Sequence, residues 1–275
     1  MAEIVYPPVI ALARAAFAGI RVKVDEVGGE NIPRTGGAVL ASNHVSYLDF
    51  LFCGLAAQPS KRLVRFMAKE EVFRHRIAGP LMRGMKHISV DRTAGAGAYG
   101  SAVKSLRGGE IVGVFPEATV SRSFLLKDFK FGAARMAAEA GVPLVPMVVW
   151  GTQRYWSKEH PRNLTRRNNP VLLRVGEPLH PTTSDDAAEV TAEMKSRMAV
   201  LLEEAIESDP YRPAGPDDKW WLPASEGGTA PTPEEAAILE KAEVEERIAK
   251  AKAKIRAAAE ARVKARAKAK AKKKA

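Results

Sequence analysis

His44 and Asp49 stand five residues apart in the stretch Asn43-His44-Val45-Ser46-Tyr47-Leu48-Asp49. Their types fit a base and the acid that orients it. An imidazole exchanges a proton near neutral pH, and a carboxylate held to one ring nitrogen leaves the other free. Residues five apart on a regular helix face different ways. The two side chains therefore meet only if His44 lies in the irregular approach to a helix that carries Asp49. This spacing recurs by chance in many proteins, so its weight comes from the surrounding chain. Ser42 and Ser46 lie close by, but neither has the strand, Gly-x-Ser-x-Gly turn and helix of an activated serine. His75, His87, His160 and His180 have no partner at useful spacing and read as structural or surface residues. No cluster has metal-ligand spacing.

The elements that would position the pair follow from apolar runs. Strands are expected at Ala38–Ser42, Leu63–Ala68, His87–Val90, Ile111–Phe115, Leu144–Trp150 and Val171–Val175. Helices are expected between them, at Tyr47–Ala57, Glu70–Arg83, Ala98–Leu106 and Ala133–Ala140. Alternation of this kind gives an α/β layer with a largely parallel central sheet flanked by helices. Such sheets carry their sites at the C-terminal ends of strands. His44, Asp91-Arg92 and Glu117 each follow an expected strand.

The 275 residues suffice for one full-sized core with chain left over. No apolar run approaches the roughly 20 residues needed to span a bilayer. The longest near the start, Val9 to Ile20, is interrupted by Arg14 and follows no basic segment, so it makes a poor secretory signal. The single cysteine, Cys53, excludes an internal disulfide and sits among apolar neighbours, which fits a reducing cytosol. Of the net charge of +11, ten units fall between Lys241 and Ala275. The body is near neutral, and any argument for an anionic partner concerns the tail.

Four segments are expected. Residues 1–24 hold an Ala-rich N-terminal amphipathic helix after Pro7-Pro8, either packed on the core or lying in a membrane interface. Residues 25–208 form the main domain, which closes with a long helix capped at Ser184. Residues 209–233 are dense in Pro and Gly and read as an arm, with Trp220-Trp221 docked on the parent domain. Residues 234–275 form a basic Ala/Lys-rich tail, a projecting, partly frayed helix that starts at Thr232-Pro233-Glu234-Glu235. Its chemistry suits anionic lipid or nucleic acid, and equally a solvated tail without a partner.

Three further segments complete an ordered set with His44-x4-Asp49. They are Gly84-Met85-Lys86-His87-Ile88-Ser89-Val90-Asp91-Arg92, Phe115-Pro116-Glu117-Ala118-Thr119-Val120-Ser121 and Val142-Pro143-Leu144-Val145-Pro146. In this order the four blocks resemble those of the glycerolipid acyltransferases of the 1-acylglycerol-3-phosphate type, over roughly Val24 to Ile206. The resemblance implies transfer of a fatty acyl group from acyl-CoA or acyl carrier protein to the free hydroxyl of 1-acylglycerol 3-phosphate. No cofactor is expected. His44 would act as the base, oriented by Asp49, and the acceptor hydroxyl would attack directly. Substrate contacts are expected from Arg92, Lys130 and Lys69 as cations for phosphate, and from Asn43, Glu117, Thr119 and Arg122. Such an enzyme would work at the cytoplasmic side of the membrane as a peripheral protein. Two positions depart from the family pattern: Ala118 stands where Gly is usual, a small change in volume, and Val120 where Arg is usual. The second leaves open another acceptor, such as glycerol 3-phosphate, a lyso-phospholipid or a glycolipid. A reading of another class, a protein without enzymatic activity that binds membrane or nucleic acid through its tail, rests on residues 234–275 alone.

Overall fold

Apolar runs with few polar interruptions become strands covered on both faces, as parallel sheets require. The computed structural model describes residues 3–90 and 95–272, so Asp91 and Arg92 lie outside the described residues. Among the described residues seven strands form one sheet: β1 (Lys23–Val27), β2 (Ala38–Ser42), β3 (Val64–Lys69), β4 (Ile88–Val90), β5 (Ile111–Val114), β6 (Leu144–Trp150) and β7 (Pro170–Val175). Their order is β1-β7-β6-β2-β5-β3-β4. Every pairing is parallel except that of β6 with β7.

Alternate residues of each strand face opposite layers. Val39 and Ala41 of β2 join one core cluster with Val112, Val114, Val148 and Trp150. Helices α5 (Gly95–Arg107), α6 (Gly132–Ala140) and α7 (Ala187–Ser208) cover that face. Ala38 and Leu40 point the other way and join Ile111, Val145, Met147 and Val149 beneath α2 (Asp49–Ala56). Helix α1 (Tyr6–Gly19) lies against the same layer. Its Tyr6 hydroxyl donates to the Val64 carbonyl at 2.7 Å, and Phe17 stacks on Phe52. Its other side leaves Leu12 73% exposed among exposed alanines.

Three local expectations are corrected. β1 was not foreseen, because this edge strand is mostly exposed and lacks a continuous apolar run. The helix expected over Glu70–Arg83 is two, α3 (Glu70–Arg74) and α4 (Ala78–Gly84). The chain extends at His75, whose Nδ1 accepts the N–H groups of Ile77 and Ala78 and so starts the second helix. The cap of α7 is Asp186, whose carboxylate accepts the Ala188 N–H at 2.7 Å, while Ser184 pairs with Thr182.

The chain through Ala230 belongs to the same unit as the sheet. Residues 209–222 are held through Arg154, which is fully buried. Its guanidinium donates to Asp209 at 2.6 Å, to Asn169 at 2.7 Å and to the Pro170 carbonyl at 2.8 Å. The rings of Tyr211 and Trp221 flank it at 4.6 and 4.5 Å. The second unit, Pro231–Ala275, contains α8 (Pro233–Lys272). Thr232 and Glu235 cap its start reciprocally.

Candidate active site

β2, β3, β5 and β6 are mutually parallel neighbours, so their C-terminal ends share one edge. The residues after β2 and β5 meet there. Asn43 extends the β2–β6 ladder with its side chain, donating to the Val149 carbonyl at 3.0 Å and accepting the Val149 N–H at 2.8 Å. That clamp ends the strand and sends His44 into the connection before α2.

Asp49 is the first residue of α2 and is 0% exposed. Its Oδ2 accepts the backbone N–H groups of Val45 and Ser46, each at 2.8 Å, and lies 2.9 Å from His44 Nδ1. An oxygen that receives two amide hydrogens carries no proton, so Nδ1 is the donor. Nε2 is then the ring nitrogen with the free lone pair. Oδ1 accepts the Thr152 hydroxyl at 2.6 Å. The imidazole is 18% exposed and stacks on Phe115, with centroids 4.2 Å apart. Glu117 Oε1 accepts the His44 backbone N–H at 3.2 Å.

A cleft of about 640 Å³ opens beside His44. Its walls are largely apolar, with Phe50, Phe66, Met82, Val90, Tyr99 and Met136 among them. Lys69 and Lys130 add two cations to its lining. His87 also lines it and accepts the Phe66 N–H on Nδ1 at 3.0 Å. Burial, and next the Arg65 guanidinium, pull the His87 pKa down to about 4, so this ring is neutral. Burial pushes the Cys53 thiol up, which keeps it unreactive.

The structure thus brings His44, Lys69 and Lys130 to one cleft, while Asp49 and Glu117 are buried and hydrogen-bonded to His44. Asn43 and Arg122 are not brought to its walls. Arg122 is buried and pairs with Glu159 at 2.8 Å. Thr119 accepts a hydrogen bond from Lys127 at 2.6 Å. Val120 is 2% exposed and points into the core. Ala118 lines the cleft with φ +64°, a conformation that favours glycine. The exchange of Gly for Ala there is therefore a change in backbone strain and not only in volume.

Two contributors were missed from sequence. Thr152 follows β6 by two residues, so the strand-end rule that marked His44 and Glu117 would also have marked it. Phe115 opens the Phe-Pro-Glu block, but no spacing signals that its ring stacks on the imidazole. Among the described residues, no three His, Cys, Asp or Glu side chains gather as metal ligands. Nor, among them, is any helix long and apolar enough to cross a membrane.

A family model described as acyltransferase matches residues 23–150. A 1-acyl-sn-glycerol-3-phosphate acyltransferase of Bacillus subtilis is 29% identical over 194 residues, which are 70% of this chain and 89% of the relative. One from Borreliella burgdorferi is 30% identical over 146 residues, and there the chain spans 56% of the relative's length. The crystal structure of the 1-acyl-sn-glycerophosphate acyltransferase PlsC of Thermotoga maritima shares the fold. It superimposes with a TM-score of 0.62 at 24% identity, over 74% of this chain and 80% of that one. The matched span runs from β1 to the end of β6, and over that span, with its blocks in order upon that sheet, the chain is similar to the acyltransferases.

Proposed function

We propose that this protein transfers a fatty acyl group from a thioester, acyl-CoA or acyl carrier protein, to the free hydroxyl of 1-acylglycerol 3-phosphate, giving phosphatidate. The observation that carries the reading is the His44–Asp49 pair, hydrogen-bonded at 2.9 Å beside a largely apolar cleft. The relatives' names supply the acceptor.

In this reading Nε2 of His44 takes the proton of the acceptor hydroxyl as its oxygen attacks the thioester carbonyl. The C–S bond then breaks, and the thiolate leaves as a good leaving group or takes the proton from the imidazolium. Asp49 keeps the ring in the tautomer with Nδ1–H and stabilises the positive charge that forms. The apolar walls hold the acyl chain away from water. Lys69 and Lys130 face the acceptor phosphate, with Arg92 and Thr119 assigned to the same anion. Glu117 braces the loop through the His44 amide. The enzyme works as a peripheral protein on the cytoplasmic face of the membrane, with the exposed side of α1 in the interface and the basic tail on anionic lipid.

One observation favours a second acceptor. Val120, buried where the family usually has Arg, removes a cation from the phosphate-contacting block, and Arg122 is committed to Glu159. Glycerol 3-phosphate, a lyso-phospholipid or a glycolipid then becomes the alternative. Purified protein given each donor with each acceptor separates these readings. His44→Ala should abolish turnover with the preferred pair, and activity equal to wild type would remove His44 from the mechanism.

A further inference from the structure

We propose that Thr152 is a positioning residue for acyl transfer, acting through Asp49. This rests on the reading of His44 and Asp49 as base and orienting acid.

Three N–H donors converge on Oδ2 of Asp49, from His44, Val45 and Ser46. They fix where that oxygen sits but leave the carboxylate plane to the other oxygen. Asp49 is fully buried, so bulk water does not serve Oδ1. The Thr152 hydroxyl does, at 2.6 Å, a length typical of a hydroxyl on a carboxylate. Thr152 stands 103 residues beyond Asp49 and belongs to the turn after β6, on the other side of β2 from β5. The pair is therefore held from two strands.

The turn that carries Thr152 is itself rigid. Gly151 sits at φ +94°, and a Cβ there would meet the Pro170 carbonyl oxygen at 2.3 Å. The Gln153 side chain accepts the Gly151 N–H at 2.8 Å. Two residues on, Arg154 is locked by Asn169, Pro170 and Asp209. A hydroxyl mounted on such a support sets the carboxylate plane and so the line from Oδ2 to the imidazole. It also draws part of the carboxylate charge toward Oδ1, away from the ring.

The test compares Thr152→Val, which keeps the shape and loses the donor, with Thr152→Ser, which keeps the donor. Thr152→Ala serves as a second donor-free variant should valine disturb folding. Both donor-free variants should lose about tenfold in kcat, with the KM values for donor and acceptor unchanged. The acid limb of their kcat/KM profile should move to higher pH by about half a unit, because more negative charge then faces the ring. Serine should restore both the rate and the profile. The proposal is overturned if Val and Ala match wild type in kcat and pH profile while His44→Ala is inactive. It is equally overturned if Ser falls as far as Val, which would make the contribution one of packing. Full activity of His44→Ala would instead remove the base reading, and this inference with it.

Discussion

Asp49→Asn is the perturbation that separates charge from geometry in the His44–Asp49 pair proposed as base and orienting acid. The amide oxygen can take the place of Oδ2 and keep the hydrogen bonds from Val45, Ser46 and His44 Nδ1. The amide nitrogen then faces Thr152, whose hydroxyl turns from donor to acceptor. The variant should fold, and the ring should keep its tautomer. What it loses is the negative charge beside the imidazolium. With the two charge centres about 4 Å apart and an effective dielectric constant near 20, that attraction is about 4 kcal/mol. Transition-state stabilisation of this size corresponds to a fall in kcat on the order of a thousandfold. The assay is thiol release from the acyl donor at saturating acceptor, with KM followed separately. A variant that turns over within about threefold of wild type, with His44→Ala inactive, would refute the charge argument and leave Asp49 as scaffold alone.

Two further outcomes concern stability. Ala118→Gly should raise it by about 0.5–1 kcal/mol, since relief of the left-handed backbone outweighs the added freedom of the unfolded chain; a lower denaturation midpoint would contradict this. His87, held neutral with a pKa of about 4, gives a pH dependence whose sign is fixed. As pH falls below about 6.5 the unfolded chain takes a proton that the folded chain refuses, so stability drops progressively toward pH 4, by at most about 3 kcal/mol. Urea midpoints at about pH 7 and about pH 5 should converge in His87→Gln, whose side-chain oxygen can still accept the Phe66 N–H, and equal slopes in the two proteins would rule His87 out.

How far the chain could be read in advance depends on whether the determining contacts are local. β2, β5 and β6 announce themselves because a strand covered on both faces must be apolar throughout. β1 does not, because an exposed edge strand such as Lys23–Val27 is free to be polar. The break between α3 and α4 depends on a side-chain cap by His75 that no periodicity records. His44 and Asp49 could be paired from sequence because five residues separate them. Thr152 touches the same carboxylate from 103 residues away, and only the sheet order brings it there. The conformation of Ala118 was hidden for another reason, since alanine gives no sign of a positive φ and only the departure from the usual glycine points to it.

The burial of Arg154 has a consequence for the order of events during synthesis. Its carboxylate partner, Asp209, is 55 residues downstream, and both flanking rings come later still. At ordinary translation speeds that interval is roughly 3 to 11 s. Throughout it the Arg154 guanidinium waits for its counter-ion, and the turn bearing Thr152 is not yet locked, although β7 is completed within the interval. The stretch from Asp209 to Trp221, though outside the span matched by the family model, is the keystone that closes the domain, and shortening the chain before residue 222 would leave that arch open.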